Sequence, residues 1–389
     1  MNTPLIIEIH GAGAHNRGAE LMAIAIAAQM RAAFPNVRIA VPASRSWPFE
    51  VRARYGFLAT PDFPGNLRSR ALLRLLPAET LTRLGIVHPS RVDCVLDASG
   101  FAYSDQWGRG PARRMVHKMN HRSRRHQTLI LLPQAFGPFK NPVVANYARR
   151  LVARADIVCA RDDQSFAELQ KIARPPKICQ YPDFTLAVKP LAPENLSLPC
   201  PFAAIVPNKR MLDKTSGAQT YLQFLHSVIT SLSSSGLNPA FVLHDAGEDQ
   251  EVPEKLALGL PVLTHPDPRV LKWILGRASI VVGSRFHALA GALSQGVPCI
   301  GAGWSHKYRE LFKDFACEDL LITDLADPSP MQRALAALRT ASQRETTAAR
   351  ILQASQTLQQ KTDQMWARIE HRIRTPLPVR TTSTSSPSE

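Results

Sequence analysis

Short apolar runs recur along this chain, each closed by glycine, proline or a polar residue and each followed by a stretch of helical length. Runs of that kind read as strands buried on both faces, and their alternation with helices argues for parallel sheets assembled from βαβ units. In the first half the expected strands are residues 5–10, 37–41, 92–96, 128–132, 157–160 and 178–181, with helices notably at 18–33 and 141–153. The proline-rich segment VKPLAPENLSLPCP, residues 188–201, breaks the pattern and reads as a linker. A second series follows, with strands at 202–206, 240–243, 279–283 and 297–300 and helices at 218–233 and 267–276. The expected fold class is α/β, with two Rossmann-like, doubly wound domains (residues 1–187 and 202–330) facing a cleft. Residues 331–374 read as C-terminal helices and 375–389 as a disordered tail.

A length of 389 residues suits two domains with a core each. The formal charge of +16 points to an anionic partner (a phosphorylated small molecule, an acidic membrane surface or nucleic acid) unless it serves solubility alone. The six cysteines form no C-x-x-C pair, which favours reduced thiols over zinc or disulfides, and no metal site is expected. The N-terminus lacks the sequence of a signal peptide, and no stretch approaches the roughly 18 apolar residues of a membrane span, so a cytoplasmic protein is expected. Residues 108–126 hold seven Arg or Lys, three His and no acid. Met115, Val116 and Met119 form a narrow stripe there, as in a helix lying on anionic lipid at the inner face of the membrane. The competing reading is a solvated basic face. Nucleic acid is not expected, because no recognition module accompanies the charge.

The segment ASIVVGSRFHALAGALSQGVPCIGAG, residues 278–303, is the strongest candidate site. A buried strand runs into a turn with Arg285 and His287 and then a small-residue helix. In open α/β sheets ligands collect at such strand ends, where helix N-termini favour anions. Arg285 offers a forked, permanently charged donor, and His287 can give or take a proton near neutrality. Lys307, on the loop after the next strand, could meet the same anion. Asn208, Lys209 and Arg210 follow the strand at 202–206, and His244 follows the next.

In the first half, GAGAHNRGAE (11–20) is a glycine-rich loop in which Gly13, Asn16 and Arg17 are candidate ligand contacts. Its spacing is not that of a dinucleotide fingerprint, and Ala19 and Glu20 stand where a P-loop needs Lys and Ser or Thr. Asp97 and Asp105 in VLDASGFAYSD are candidates for orienting or deprotonating a hydroxyl, with helix or backbone capping as the alternative for Asp97. Gln134 and Arg161 end two further strands, and Asp183 lies in YPDF close to the linker.

Taken in order, the loop with Asn16, the DASG segment with Asp105, LLPQAFGPF, ARDDQS, YPDF, and SRFHALAGALSQGVPCIG followed by HK resemble the polysaccharide pyruvyl transferase family. The resemblance implies a pair of domains like those of GT-B glycosyltransferases. It also implies transfer of the pyruvyl group of phosphoenolpyruvate, a co-substrate with no further cofactor, onto two hydroxyls of a glycan or lipid-linked sugar. A cyclic ketal forms and phosphate leaves. By motif match Arg285 and His287 would bind phosphoenolpyruvate, with His287 the leading candidate for the acid; the chemistry would then have a carboxylate such as Asp105 activate the hydroxyl. The alternatives are a GT-B-type glycosyltransferase using a nucleotide sugar, and a non-enzymatic basic protein of envelope assembly.

Overall fold

The computed structural model describes residues 4–61, 78–121, 127–174, 177–214, 217–303 and 305–375. Most of the expected tail, 376–389, and the basic residues 122–126 lie outside the described residues. Contacts divide the chain into two units, one of residues 1–12, 26–180 and 364–389 and one of residues 13–25 and 181–363. Residues 13–25, with the glycine-rich loop and the start of the first helix, belong to the second unit, as do residues 181–187, and the end of the last helix belongs to the first.

The first unit carries β1 (Ile6–His10), β2 (Arg38–Pro42), β3 (Leu58–Thr60), β4 (Cys94–Asp97), β5 (Thr128–Gln134), β6 (Ile157–Ala160) and β7 (Ile178–Gln180). Helices α1 (Arg17–Ala33) and α2 (Phe49–Tyr55) follow β1 and β2, and α3 (Ala78–Arg83) precedes β4. Helices α4 (Gly110–His121), α5 (Pro142–Arg154) and α6 (Asp163–Ile172) follow β4, β5 and β6. Every pairing is parallel and the order is β3-β2-β1-β4-β5-β6-β7. The order reverses between β1 and β4, which makes that junction the switch point. There Gly11 has φ +78, and a Cβ on it would lie 2.2 Å from Ser99 Oγ, so the residue is a packing requirement of the turn. Because β4 to β7 succeed one another across the sheet, right-handed crossovers set α4, α5 and α6 side by side on one face.

The second unit carries β8 (Phe202–Val206), β9 (Asn238–Val242), β10 (Val262–Leu263), β11 (Ile280–Gly283), β12 (Cys299–Ala302) and β13 (Leu321–Ile322). Its helices are α7 (Arg210–Lys214), α8 (Ala218–Ser234), α9 (Ala246–Asp249), α10 (Glu251–Leu256), α11 (Pro268–Gly276), α12 (Phe286–Leu293) and α13 (His306–Asp314). Two more, α14 (Pro328–Ala337) and α15 (Ala341–Arg374), end the described chain. The sheet is again parallel, in the order β10-β9-β8-β11-β12-β13, with its switch point between β8 and β11. β8 and β11 are buried along their whole length, as expected of strands covered on both faces. On α8 the buried residues Tyr221, Phe224, Leu225, Val228, Ile229 and Leu232 follow the helical repeat and cover one face of that sheet.

On one point the structure corrects the sequence reading. The stripe of Met115, Val116 and Met119 on α4 is buried and, with Ala112, packs into the core of the first unit. It is core by the i, i+3, i+4, i+7 rule, not a lipid-facing stripe. Replacing the fully buried Met119 with Ala should therefore destabilise the protein by about 2–5 kcal/mol, read as a lower urea midpoint at unchanged m-value. An unaltered midpoint would return the stripe to the surface.

Candidate functional site

At the switch point of the second unit the turn between β11 and α12 is braced through Ser284. Its carbonyl accepts the Asn208 Nδ2 amide and the Tyr308 hydroxyl, each at 2.8 Å, and its own hydroxyl pairs with Tyr221 Oη at 2.8 Å. Asn208 completes the brace, its backbone N–H donating to Tyr221 Oη and its Oδ1 accepting from Arg210 N. Burial of the two phenols pushes the Tyr221 hydroxyl up to about 12 and that of Tyr308 up as well, so both stay protonated.

Arg285 occupies the N-cap of α12. Its guanidinium meets Asp249 side-on, Nε to Oδ2 at 2.8 Å and Nη2 to Oδ1 at 2.5 Å, with Glu248 Oε2 at 3.6 Å. Asp249 is fully buried and also accepts Lys209 N–H. Burial raises its carboxyl above the usual range even with Arg285 opposing the rise. The permanently charged donor expected at this turn is thus one half of an ion pair with a buried carboxylate.

His287, in the first turn of α12, is wedged between two groups of the same unit. A Cβ on Gly18, at the start of α1, would fall 2.1 Å from its Nδ1, so only glycine leaves the imidazole its place. On the other side Asp183 Oδ2 stands 4.0 Å from Nε2, the distance of an ion pair. Asp183 caps the 3₁₀ turn Phe184–Ala187 by accepting from Thr185 N at 2.9 Å and Thr185 Oγ1 at 2.7 Å. That turn is pinned by buried Lys272, whose ammonium donates to the carbonyls of Thr185 and Leu186 at 3.1 and 2.9 Å. Burial brings the ammonium down to about 7.

His244, just past β9, is 6% exposed, and its Nε2 has no hydrogen-bond partner among the described residues. Burial lowers its imidazole to about 3, and the charges of His287, Arg285 and Arg17 lower it further. The ring is thus neutral near pH 7, and the cationic groups that hold it so are themselves paired with carboxylates, Arg17 with Glu20 and Arg285 with Asp249.

The other expected residues divide by what they touch. Lys307 lies over the rings of Phe286 and Tyr308, 5.5 and 5.3 Å from their centroids, close to the turn. Arg17 pairs with buried Glu20 at 2.5 Å. Asn16 caps α1, its Oδ1 accepting from Gly18 N at 2.9 Å and Ala19 N at 3.2 Å, and Gly13 is buried in the same loop. Lys209 pairs with Glu251 at the surface, 2.8 Å apart, and Arg210 is exposed.

In the first unit, Asp97 is fully buried and accepts from Ser99 N, Ser99 Oγ and Tyr103 Oη; burial raises its carboxyl, against the pull of those bonds. The carboxylate of Asp105 accepts from the backbone N–H groups of Lys140 and Asn141, joining the two loops. Gln134 is fully buried with no partner for its side-chain amide among the described residues, and its backbone carbonyl accepts from Arg161 N–H at 3.1 Å. Arg161 itself is 8% exposed.

Sequence reasoning left out Asp183 as a partner of His287 and Asp249 as a partner of Arg285. YPDF and HDAGED displayed both acids, but nothing in their spacing pointed to a distant cation. Among the described residues no group of three or more His, Cys, Asp or Glu is placed to hold a metal, and no helix is long and apolar enough to cross a membrane.

Gly18→Ala should displace the imidazole and cut turnover at least tenfold, with a far smaller change in melting temperature; unchanged turnover would show that His287 has room to move. His244 gives a pH signature. Its folded value of about 3 lies below the ordinary 6.5, so the unfolded chain binds more protons between the two and stability falls as pH drops through that window. His244→Gln should flatten that part of a stability–pH curve; an unaltered slope would place the loss elsewhere.

The overall fold resembles that of several solved enzymes. A putative UDP-N-acetylglucosamine 2-epimerase from Listeria monocytogenes aligns over 97% of this chain and 99% of its own, with a TM-score of 0.56 at 13% identity. S. aureus MnaA, solved with UDP, aligns over 96% and 97% at 0.57 and 11% identity. The trehalose-6-phosphate synthase OtsA aligns over 97% and 100% at 0.51 and 12% identity. At such identities the likeness is one of fold, that of GT-B glycosyltransferases and related epimerases. No curated protein sequence matches the chain. The sequence profile described as Polysaccharide pyruvyl transferase matches residues 16–306, from the cap of α1 to the first residue of α13. The chain therefore belongs to the polysaccharide pyruvyl transferase family and is an enzyme of that class.

Proposed function

We propose that the protein transfers the pyruvyl group of phosphoenolpyruvate to two hydroxyls of a sugar in a cell-surface polysaccharide or its lipid-linked precursor. The observation that carries the reading is the placing of Arg285 and His287 at the first turn of α12 by the switch point of the second unit, with Gly18, next to Arg17, packed against the imidazole. Phosphoenolpyruvate bears a carboxylate and a phosphate. Arg17, Arg285 and a protonated His287 offer hydrogen-bond donors to these groups and to the departing phosphate. Lys307, held beside the turn by the two rings, adds to the same field.

In this reading His287 is the acid. It gives its proton to the methylene carbon of the enol, which becomes a methyl group and leaves carbon 2 electrophilic. One sugar hydroxyl attacks carbon 2, and its proton goes to the now neutral His287. The second hydroxyl then takes the place of phosphate, whose bond to carbon 2 breaks; its proton leaves with the phosphate as hydrogen phosphate, and the ketal closes. Asp183, 4.0 Å from Nε2, stabilises the imidazolium that must be present before the proton is given. Asp105, the expected base, accepts two backbone N–H bonds that join its loop to Lys140 and Asn141, and the balance above routes no proton through it.

The test is phosphate release from phosphoenolpyruvate in the presence of free and lipid-linked glycans. Alongside it, melting-temperature shifts with phosphoenolpyruvate and with UDP-sugars should be measured, since a ligand that binds the native state raises it. Stabilisation by phosphoenolpyruvate and acceptor-dependent phosphate release are expected. Stabilisation by a UDP-sugar alone would replace the reading with that of a glycosyltransferase. His287→Ala should lower kcat by about 10²–10⁴-fold with the fold intact. Asp183→Asn should lower kcat with little change in KM for phosphoenolpyruvate, because it acts on the proton donor and not on the bound anion.

A further inference from the structure

The outer face of α4 and α5 has a composition that the reaction does not use. The two helices pack against each other, and neither contains a single carboxylate from Gly110 to His121 or from Pro142 to Arg154. Right-handed crossovers put both on one face of the sheet, and their inward sides are spent on the core. The residues left outside include Arg113 and Arg114 on α4 and Arg149 and Arg150 on α5, all exposed. On that layer the first carboxylates appear in α6, where Glu168 pairs with Lys171.

One end of this face is apolar as well as cationic. Trp107, just before α4, is 51% exposed, and Val143, in the first turn of α5, is 44% exposed. The carboxylate of Asp105 ties their loops together by accepting the Lys140 N–H at 2.7 Å, so the two apolar side chains sit at the same end of the helix pair. An exposed tryptophan beside a field of arginines has the chemistry of a bilayer interface. Its ring is at ease at headgroup depth, and each basic residue near an anionic leaflet adds attraction. A nucleic-acid strand would call for a track of stacking aromatics; among the described residues α4 has none, and Tyr147, the one on α5, packs against the core.

We propose that the outer face of α4 and α5 docks on the surface of an anionic lipid bilayer, with Trp107 and Val143 entering the interface and Arg113, Arg114, Arg149 and Arg150 facing the headgroups. The contact differs from an amphipathic helix laid flat in lipid, since the methionine stripe of α4 stays in the core. It stands apart from the proposed reaction and is tested without it.

The full-length protein is sedimented with phosphatidylcholine vesicles, with and without phosphatidylglycerol. Pelleting with the anionic vesicles alone is expected. The variant R113E/R114E/R149E/R150E should bind at least tenfold more weakly at an unchanged melting temperature. A control of equal charge change on the second unit, K189E/R333E/R339E/K361E, should bind as the parent does. At about 0.15 M ionic strength, where loose charge attraction is screened beyond roughly 8 Å, Trp107→Ala should still weaken binding several-fold. Absence of pelleting, equal loss in the control, or no effect of Trp107→Ala would each overturn the docking. Preference for a soluble sulfated polysaccharide over the vesicles would do the same.

Discussion

Everything the second unit presents at its switch point depends on how Ser284 is held. A residue between a buried strand and a helix has a free carbonyl that must find donors when water is excluded. Here Asn208 from the end of β8 and Tyr308 from α13 supply them, while Tyr221 from α8 takes the serine hydroxyl. Three elements distant in sequence thus fix the first turn of α12. With the turn fixed, Arg285 and His287 have little freedom in where they point, which is the preorganisation that anion recognition and proton transfer demand.

The charges at this site are balanced, not merely positive. Arg285 leans on Asp249, Arg17 on Glu20 and His287 on Asp183. A buried ion pair adds little stability over an apolar pair of the same size, because desolvating two charges consumes most of the attraction. Its use is geometric, since it keeps a guanidinium at a defined place and angle. Neutral His244, with Lys272 behind the turn of Asp183, belongs to the same economy of buried polar groups, in which an ammonium or imidazole is kept where its hydrogen bonds or its potential matter.

The strands and long helices were legible because their periodicity is strong; α8 differs from its expected span by one residue and β6 and β8 by none. β3, β10 and β13 were not, since two or three residues such as Val262–Leu263 cannot display a period and exist as strands only by pairing with a neighbour. Asn16, Asp105 and Asn208 read in the sequence as ligand contacts, and the structure shows the capping and bracing bonds that each also makes. Short polar side chains at strand ends are what both a binding loop and a capped helix or braced turn require. Arg285 and His287 were legible as a pair because a strand, a turn and a small-residue helix place them at one edge.

By itself the sequence determined the alternation of strand and helix, hence parallel sheets, the strand ends where polar residues collect, and the family, because each is written in residues close together along the chain. Only the tertiary structure decided the partners: Asp249 for Arg285, Asp183 for His287, glycine at position 18 to make room for an imidazole, and the core for the methionines of α4. Each of these joins residues far apart in the sequence, and the energy of an ion pair or a packed methionine depends on distance and burial, which folding sets and local composition does not.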